Sequence, residues 1–144
     1  MQFVGTYYHT LEDQGRISVP KSFRTGLGDG GVVTKGLDGC LFIFAKTEWD
    51  RLTGKLEALP LGQKNARDFL RLIMYNAAPI EFDNLGRTRI PTRLTDSVNI
   101  KKDVVFVGTL SRIEVWDKMT YHAYFDKLSE RETELSESLG QLGI

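Results

Sequence analysis

The chain has 144 residues, of which 41% are apolar, and its 19 basic residues balance 19 acidic ones. This length suffices for one compact body, or for two units of about 50 residues that would each bury little surface alone. The zero formal charge argues against a protein that coats nucleic acid through a generally basic surface. No apolar run approaches the roughly 20 residues that are needed to span a bilayer.

The N-terminal part of the chain predicts a strand, a helix and a β-hairpin, in that order. Apolar and polar residues alternate up to Pro20, which is typical of a strand with one buried face, and proline also suits the first position of a following helix. An Asp38-Gly39 pair supplies the positive φ that a tight hairpin turn requires. The expected elements are a strand at 17–19, a helix at 21–27 and hairpin strands at 32–36 and 40–44.

Two helices are expected between this unit and the second half of the chain. The first is expected to follow a capping box formed by Thr47 and Asp50, in which the shorter Asp replaces the usual Glu, and to end at Pro60. The second, at about 65–75, has apolar residues on one face and basic residues on the other, which is typical of a helix that covers a core. The apolar face comprises Ala66, Phe69, Leu70, Ile73 and Met74.

The second half of the chain repeats the first. A pattern of an acid, three residues, Arg, three residues and Pro, with Gly before the Arg, occurs at 12–20 and again at 83–91. Arg16 and Arg87 lie 71 positions apart, and later landmarks agree after one inserted residue. The repetition predicts one supersecondary unit used twice. The second copy is expected to have a strand at 87–90, a helix at 91–97 and strands at 104–107 and 113–116.

Apolar residues recur after Thr120 at alternating spacings of four and three, interrupted at Glu132. This pattern predicts a C-terminal helix with an apolar seam, which packs either on its own domain or on another subunit. Acidic residues between 126 and 137 are interpreted as the solvated face of that helix. The seam residues are Tyr121, Phe125, Leu128, Leu135, Leu139 and Leu142.

Catalytic and metal-binding patterns are absent from the sequence. Neither His9 nor His122 lies in a metal-binding spacing, and no nucleophile elbow or phosphate-binding loop motif occurs, so no enzyme activity, cofactor or metal is expected. Cys40 is the only cysteine, which excludes an intramolecular disulfide and favours a small apolar role in a strand. The start of the chain lacks a basic region followed by an apolar stretch, so a cytoplasmic protein is expected.

The repeated element places an arginine directly after a glycine turn at the start of a strand, twice. Gly15 and Gly86 allow the chain to reverse with positive φ. The carboxylate four residues upstream can orient the arginine, whose planar fork matches phosphate groups and the guanine edge. An internal ion pair that merely staples the turn is an equally open interpretation. The segment 83–102 keeps five basic residues against two acidic ones, so a local basic face is expected.

These residues carry a resemblance to known proteins. Segments 15–20 and 86–91 resemble the start of the AbrB or SpoVT type swapped-hairpin DNA-binding module, and their tandem order and connector length resemble the bacterial MraZ family. The expected fold is α+β, with two strand-helix-hairpin units interlocked about a pseudo-two-fold axis in a mostly β body. The expected division is 6–48 for unit 1, 49–76 for the helical connector, 77–120 for unit 2 and 121–144 for the C-terminal helix.

The resemblance implies a sequence-specific transcriptional regulator associated with the nucleoid. It implies binding to double-stranded DNA at promoter repeats of a division and cell-wall gene cluster that includes the protein's own gene, and assembly into a ring-like homo-oligomer. The alternative is a ring-forming assembly protein without specific DNA readout, whose apolar C-terminal seam makes the ring and whose basic loops are incidental.

The acid-x-x-x-Arg element of the family falls on Glu12 with Arg16 and on Asp83 with Arg87. Glu12 departs from the usual Asp by one methylene, so Arg16 is expected to sit differently from Arg87. Basic residues that flank the two elements either contact phosphates or are solvated surface charges. The candidate DNA-binding residues are Glu12, Gly15, Arg16, Lys21, Arg24, Asp83, Gly86, Arg87, Arg89 and Arg93.

Overall fold

A computed structural model describes residues 2–143, in which eight β-strands and six α-helices occur. The strands are β1 (Phe3–Thr10), β2 (Arg16–Ser18), β3 (Gly30–Lys35), β4 (Leu41–Ala45), β5 (Ala78–Glu81), β6 (Arg87–Arg89), β7 (Asp103–Leu110) and β8 (Ile113–Asp117). The helices are α1 (Lys21–Leu27), α2 (Lys46–Glu57), α3 (Lys64–Asn76), α4 (Thr92–Ser97), α5 (Lys118–Glu130) and α6 (Glu132–Ser138). Within the described range, no helix has both the length and the apolar character needed to cross a bilayer.

The two halves of the chain exchange strands. Six strands form one antiparallel sheet in the order β1-β7-β8-β4-β3-β5, and β2 pairs with β6 in a separate two-stranded ribbon. Strands of the first half pair with strands of the second at four places, namely β1 with β7, β3 with β5, β4 with β8 and β2 with β6. This arrangement confirms the predicted α+β fold of two interlocked units that share one body.

Side chains alternate between the two faces of the six-stranded sheet. In β4, Leu41 and Ile43 face a large core that also contains apolar residues of α1, α4 and the ribbon. Phe42 and Phe44 face a second core, which is covered by Trp49 of α2 and by a residue of α5. Because strand side chains alternate between faces, the ribbon lies on one side of the sheet and helices α2 and α5 lie on the other.

The predicted hairpin turn is confirmed. Asp38 and Gly39 have φ values of 65° and 92°, and the Gly36 N–H donates to the Cys40 carbonyl oxygen at 2.9 Å. The strands and helices of both units begin and end within three residues of the predicted positions. Local turn chemistry and binary patterning were therefore sufficient to predict the repeated unit.

Two strands were not predicted from the sequence. β1 and β5 are the edge strands of the large sheet, and most β1 side chains are exposed. An exposed edge strand has no clear alternation of buried and exposed residues, so its pattern gives little signal. β5 also contains Pro79, which is compatible with an edge because proline cannot donate a ladder hydrogen bond.

The helical connector differs from prediction at its beginning. The predicted Thr47 and Asp50 capping box is wrong, because α2 starts at Lys46 and its N-cap, Ala45, makes no side-chain cap bond. The equivalent position in the second unit is Asp117, whose carboxylate accepts a hydrogen bond from the Thr120 N–H at 3.3 Å. Thus only the second of these two helices has a side-chain cap.

Helix α3 covers the sheet less completely than its apolar face predicts. Ile73 is buried, and its carbonyl oxygen accepts a 2.7 Å hydrogen bond from the buried Thr34 hydroxyl of β3. Phe69 and Met74, however, remain 39% and 44% exposed. The C-terminal segment likewise differs from one continuous helix, because it breaks at Arg131 into α5 and α6.

Replacing Thr34 by Val removes the buried donor between β3 and α3. We expect a loss of about 1–3 kcal/mol in the free energy of unfolding, because the Ile73 carbonyl oxygen loses its buried donor. Thr25→Val is the matched control, since the exposed Thr25 hydroxyl also donates to a backbone carbonyl oxygen, and it should cost less than about 0.5 kcal/mol. Urea denaturation measures both changes, and equal losses would contradict the role of the buried bond.

Candidate nucleic-acid interface

The two Gly-Arg elements pair with each other in the ribbon. β2 runs antiparallel to β6, and the facing pairs are Arg16 with Arg89, Ile17 with Thr88, and Ser18 with Arg87. Ile17 and Thr88 are buried against the large core. Strand alternation therefore turns the other four side chains away from the core, onto one surface. We call this surface, formed by Arg16, Ser18, Arg87 and Arg89, the arginine face.

Each glycine turn accepts a backbone hydrogen bond from the residue that follows the ribbon strand of the other repeat. The Ile90 N–H donates to the Gly15 carbonyl oxygen at 2.9 Å, and the Val19 N–H donates to the Gly86 carbonyl oxygen at 3.3 Å. Both glycines have a φ of 77°, which confirms the predicted positive φ. A Cβ atom at Gly15 would overlap the Ile90 carbonyl oxygen. The turn geometry therefore requires glycine for both conformation and space.

Asp83 organises the second turn. One of its carboxylate oxygens accepts hydrogen bonds from the backbone N–H groups of Leu85 and Arg87, both at 2.9 Å. The other oxygen accepts from the Arg87 Nε at 3.0 Å. The bond from the Arg87 backbone N–H and the neighbouring guanidinium hold the pKa of the Asp83 carboxyl below its ordinary value. The predicted Asp83–Arg87 pair therefore forms and orients Arg87.

The first turn is built differently. The expected Glu12–Arg16 pair is wrong: the Glu12 carboxylate lies 3.8 Å from the Arg87 Nη1, and Arg16 forms no ion pair within residues 2–143. The longer Glu side chain reaches across the ribbon to the neighbouring arginine. Arg87 is thus held by carboxylates from both repeats, whereas Arg16 is exposed and unclamped.

Of the other four candidate cations, two form hydrogen bonds with neighbouring groups and two are simply exposed. Arg89 lies on the arginine face and donates from Nη2 to the Gln14 side-chain oxygen at 3.1 Å. Arg24 is half-buried, donates from Nε to the Val19 carbonyl oxygen at 3.1 Å, and packs against Gly86. The remaining two candidates are exposed, Lys21 on α1 and Arg93 on α4.

The arginine face borders a shallow cavity of about 370 Å³. Arg16, Arg87 and Arg89 all line it, together with Asp83 and Phe82, whereas Lys21, Arg24 and Arg93 do not. The structure therefore brings three of the predicted arginines to one concave surface. Sequence reasoning missed Gln14, which adopts a φ of 61° and contacts Arg89 from the other repeat, because no local pattern marks it.

Potential metal-ligating side chains and the single cysteine also lie in the described part of the chain. Among residues 2–143, no group of three or more His, Cys, Asp or Glu side chains is arranged to hold a metal ion. Cys40 is buried in the second core, and its burial raises the pKa of the thiol. Its burial agrees with the predicted role of a small apolar residue, but its predicted place in a strand is wrong, because Cys40 lies directly before β4.

Comparison with known proteins agrees with the internal repeat. A family model described as "MraZ protein, putative antitoxin-like" matches residues 2–72 and again residues 73–140. The Transcriptional regulator MraZ of Halothermothrix orenii is 41% identical over 142 residues, which cover 99% of each chain. The protein of the same name from Clostridium beijerinckii is 42% identical over 139 residues, covering 92% of this chain and 98% of the relative.

Replacing Asp83 by Asn tests the carboxylate of the second turn. The Asp83 carboxyl has a lower pKa in the folded state than in the unfolded state, so it stabilises the fold in full at a pH above its unfolded pKa of about 4. This stabilisation is lost as the pH falls through the folded pKa. We expect the difference in unfolding free energy between wild type and Asp83→Asn to be largest near neutral pH and to shrink below about pH 4.

Urea denaturation across this pH range measures the difference. Asp13→Asn is the matched control, because Asp13 lies in the first turn and outside both ion pairs of Arg87. The same pH dependence in both variants would show that the Asp83 carboxylate is not the source of the pH-dependent stability.

Proposed function

The chain belongs to the MraZ family, and from that premise we propose that it is a transcriptional regulator that binds specific sequences in double-stranded DNA. The proposed target is a set of promoter repeats of a division and cell-wall gene cluster that includes the protein's own gene, as the family resemblance implies. The proposed location is the cytoplasm, at the nucleoid. The arginine face is the proposed DNA contact.

The observation that carries this proposal is the clustering of Arg16, Arg87 and Arg89 on the outer surface of a two-stranded ribbon. The major groove of B-DNA admits such a ribbon, and strands that read DNA in this way are an established geometry. Guanidinium groups match both the guanine edge and phosphate oxygens. The ribbon rests on the large core, so its arginines project from a packed support.

The two repeats contribute differently in this proposal. Arg87 is held by Asp83 and Glu12, so its orientation is set before DNA binds, which suits the reading of a base edge. Arg16 has no such clamp and is free to follow the phosphate backbone. Arg24 supports the ribbon through its bond to Val19, and the exposed Lys21 and Arg93 make flanking phosphate contacts.

Assembly into a homo-oligomeric ring is the second part of the proposal. A chain with 19 basic and 19 acidic residues has little net attraction for DNA, so one copy would bind weakly. Several linked copies that contact repeats about one helical turn apart would raise the avidity without a strong single site. The exposed apolar residues of α3 and α5, such as Phe69 and Phe125, agree with contacts between copies.

Arg16→Ala and Arg87→Ala test the arginine face. Each should weaken binding to DNA from upstream of the protein's own gene by about 1–3 kcal/mol, or roughly 5- to 150-fold, while folding and assembly stay intact. Arg71→Ala is the matched control: Arg71 is an exposed arginine of α3, which packs on β3 from the other side of the sheet, and its loss should leave binding nearly unchanged. Unchanged binding by both ribbon variants would remove the arginine face from the site.

Salt titration separates this function from that of an assembly protein without DNA readout, which the exposed apolar residues of α3 and α5 would also suit. DNA affinity should fall linearly on a log–log plot against salt concentration, with a slope set by the number of phosphates contacted. The apolar part of a contact between copies should not weaken in this way, so the mass of the assembly should change less than the DNA affinity over the same salt range. A salt-independent affinity, or equal affinity for operator and unrelated DNA, would favour the assembly protein.

A further inference from the structure

An apolar cleft lies between α2, α3 and the β7–β8 turn, on the sheet face opposite the arginine face. It has a volume of about 310 Å³. Its apolar lining includes Phe42, Phe44, Leu52, Phe69 and Ile73, and its rim carries Arg51, Lys55, Arg112 and Glu48. The cleft therefore combines an apolar floor with a mainly basic rim.

Arg112 is the cation closest to the cleft floor. Its guanidinium carbon lies 4.5 Å from the centre of the Phe42 ring, and its Nε is buried without a hydrogen-bond partner within residues 2–143. Arg51, by contrast, is highly exposed and pairs with Glu48 at 3.1 Å. The one acidic residue of the cleft, Glu48, does not neutralise all the cations of the rim, so a carboxylate that enters the cleft would find cations to pair with.

The C-terminal segment has the complementary chemistry. We call residues 130–142, which include α6 and the turn Gly140–Leu142, the acidic tail. Leu135, Leu139 and Leu142 recur at the i, i+4, i+7 spacing of a helix that inserts in a groove. Leu139 and Leu142 are 40% and 71% exposed. The acidic residues of the tail are Glu130, Glu132, Glu134 and Glu137.

Comparison of the two repeats shows that, within residues 2–143, the acidic tail is packed less closely than its counterpart in the first unit. In the first unit, the second helix after the hairpin is α3, which packs on β3 through the Thr34–Ile73 hydrogen bond. In the second unit the corresponding helix is α6, whose main contact within the described chain is the short turn that follows it. Its residues are nearly all exposed, and none of them lines the cleft.

We propose that the acidic tail of one copy docks in the cleft of the next copy of this chain. The leucines would cover the aromatic floor, and the tail carboxylates would pair with the basic rim. The 13 residues of the tail would span about 20 Å as one continuous helix, of which α6 already forms Glu132–Ser138. This inference rests on the homo-oligomer of the proposed function and names its contact surfaces.

The proposed contact joins two different surfaces, so it is heterologous and propagates from copy to copy until a ring closes. The cleft floor belongs to the second core, whereas the arginine face lies over the large core on the other side of the sheet. Docking at the cleft therefore leaves every arginine face uncovered. Assembly and DNA contact can take place on the same molecule at the same time.

Charge reversal on both surfaces tests the proposal. The tail variant carries Glu132→Lys, Glu134→Lys and Glu137→Lys, and the cleft variant carries Arg51→Glu and Lys55→Glu. Each should weaken self-association at least tenfold, because like charges then face each other. One chain with all five substitutions should recover assembly, and so should an equimolar mixture of the two variants. Sedimentation velocity measures the masses, and circular dichroism checks the fold.

The matched control reverses two lysines in the loop before β7, Lys101→Glu and Lys102→Glu, and should keep the mass of the wild type. The proposal is overturned if either the tail variant or the cleft variant assembles like the wild type, or if the five-substitution chain stays dissociated. Dissociation of the tail variant alone would mean that the tail binds elsewhere.

The same samples separate this proposal from DNA binding. A wild-type chain that is monomeric yet binds operator DNA through Arg16 and Arg87 would overturn the docking and leave the proposed function standing. Recovery of assembly by charge reversal, without operator binding in any sample, would overturn the DNA contact and leave the docking standing.

Discussion

The structure depends on an exchange of backbone hydrogen bonds between the two copies of one short unit. The Val19 N–H reaches the Gly86 turn, and the Ile90 N–H reaches the Gly15 turn, so each turn is completed by the strand of the other copy. A unit of about 50 residues buries too little surface to be stable alone. Exchange of strands solves this problem because both units then contribute to one large core.

Strand alternation distributes the chemistry of the molecule between two sides. Residues of one parity along β4, β7 and β8 support the ribbon through the large core, and those of the other parity support the helices through the second core. The sheet consequently separates the arginines from the surfaces of α2 and α5. A single fold can thus present a cationic face and a separate surface for the proposed contacts between copies.

The two copies share a backbone but differ in their side chains. Ser18 occupies the position equivalent to Arg89, so the second copy adds a guanidinium to the arginine face. Ala45 stands where the second copy has the helix-capping Asp117. The pseudo-two-fold symmetry is therefore a property of the main chain. The charged surface is asymmetric, and so is the proposed contact with DNA.

The sequence by itself determined the repeated unit, the glycine turns and the Asp83–Arg87 pair, because each depends on residues close together in the chain. The edge strand β1, the Glu12–Arg87 contact and the Gln14–Arg89 contact were decided only by tertiary structure. These features join residues at least 70 positions apart, and no local pattern specifies such partners. The exposure of α6 also could not be predicted from the sequence, because Leu135, Leu139 and Leu142 follow the same periodicity as the apolar residues of a helix that packs on a core.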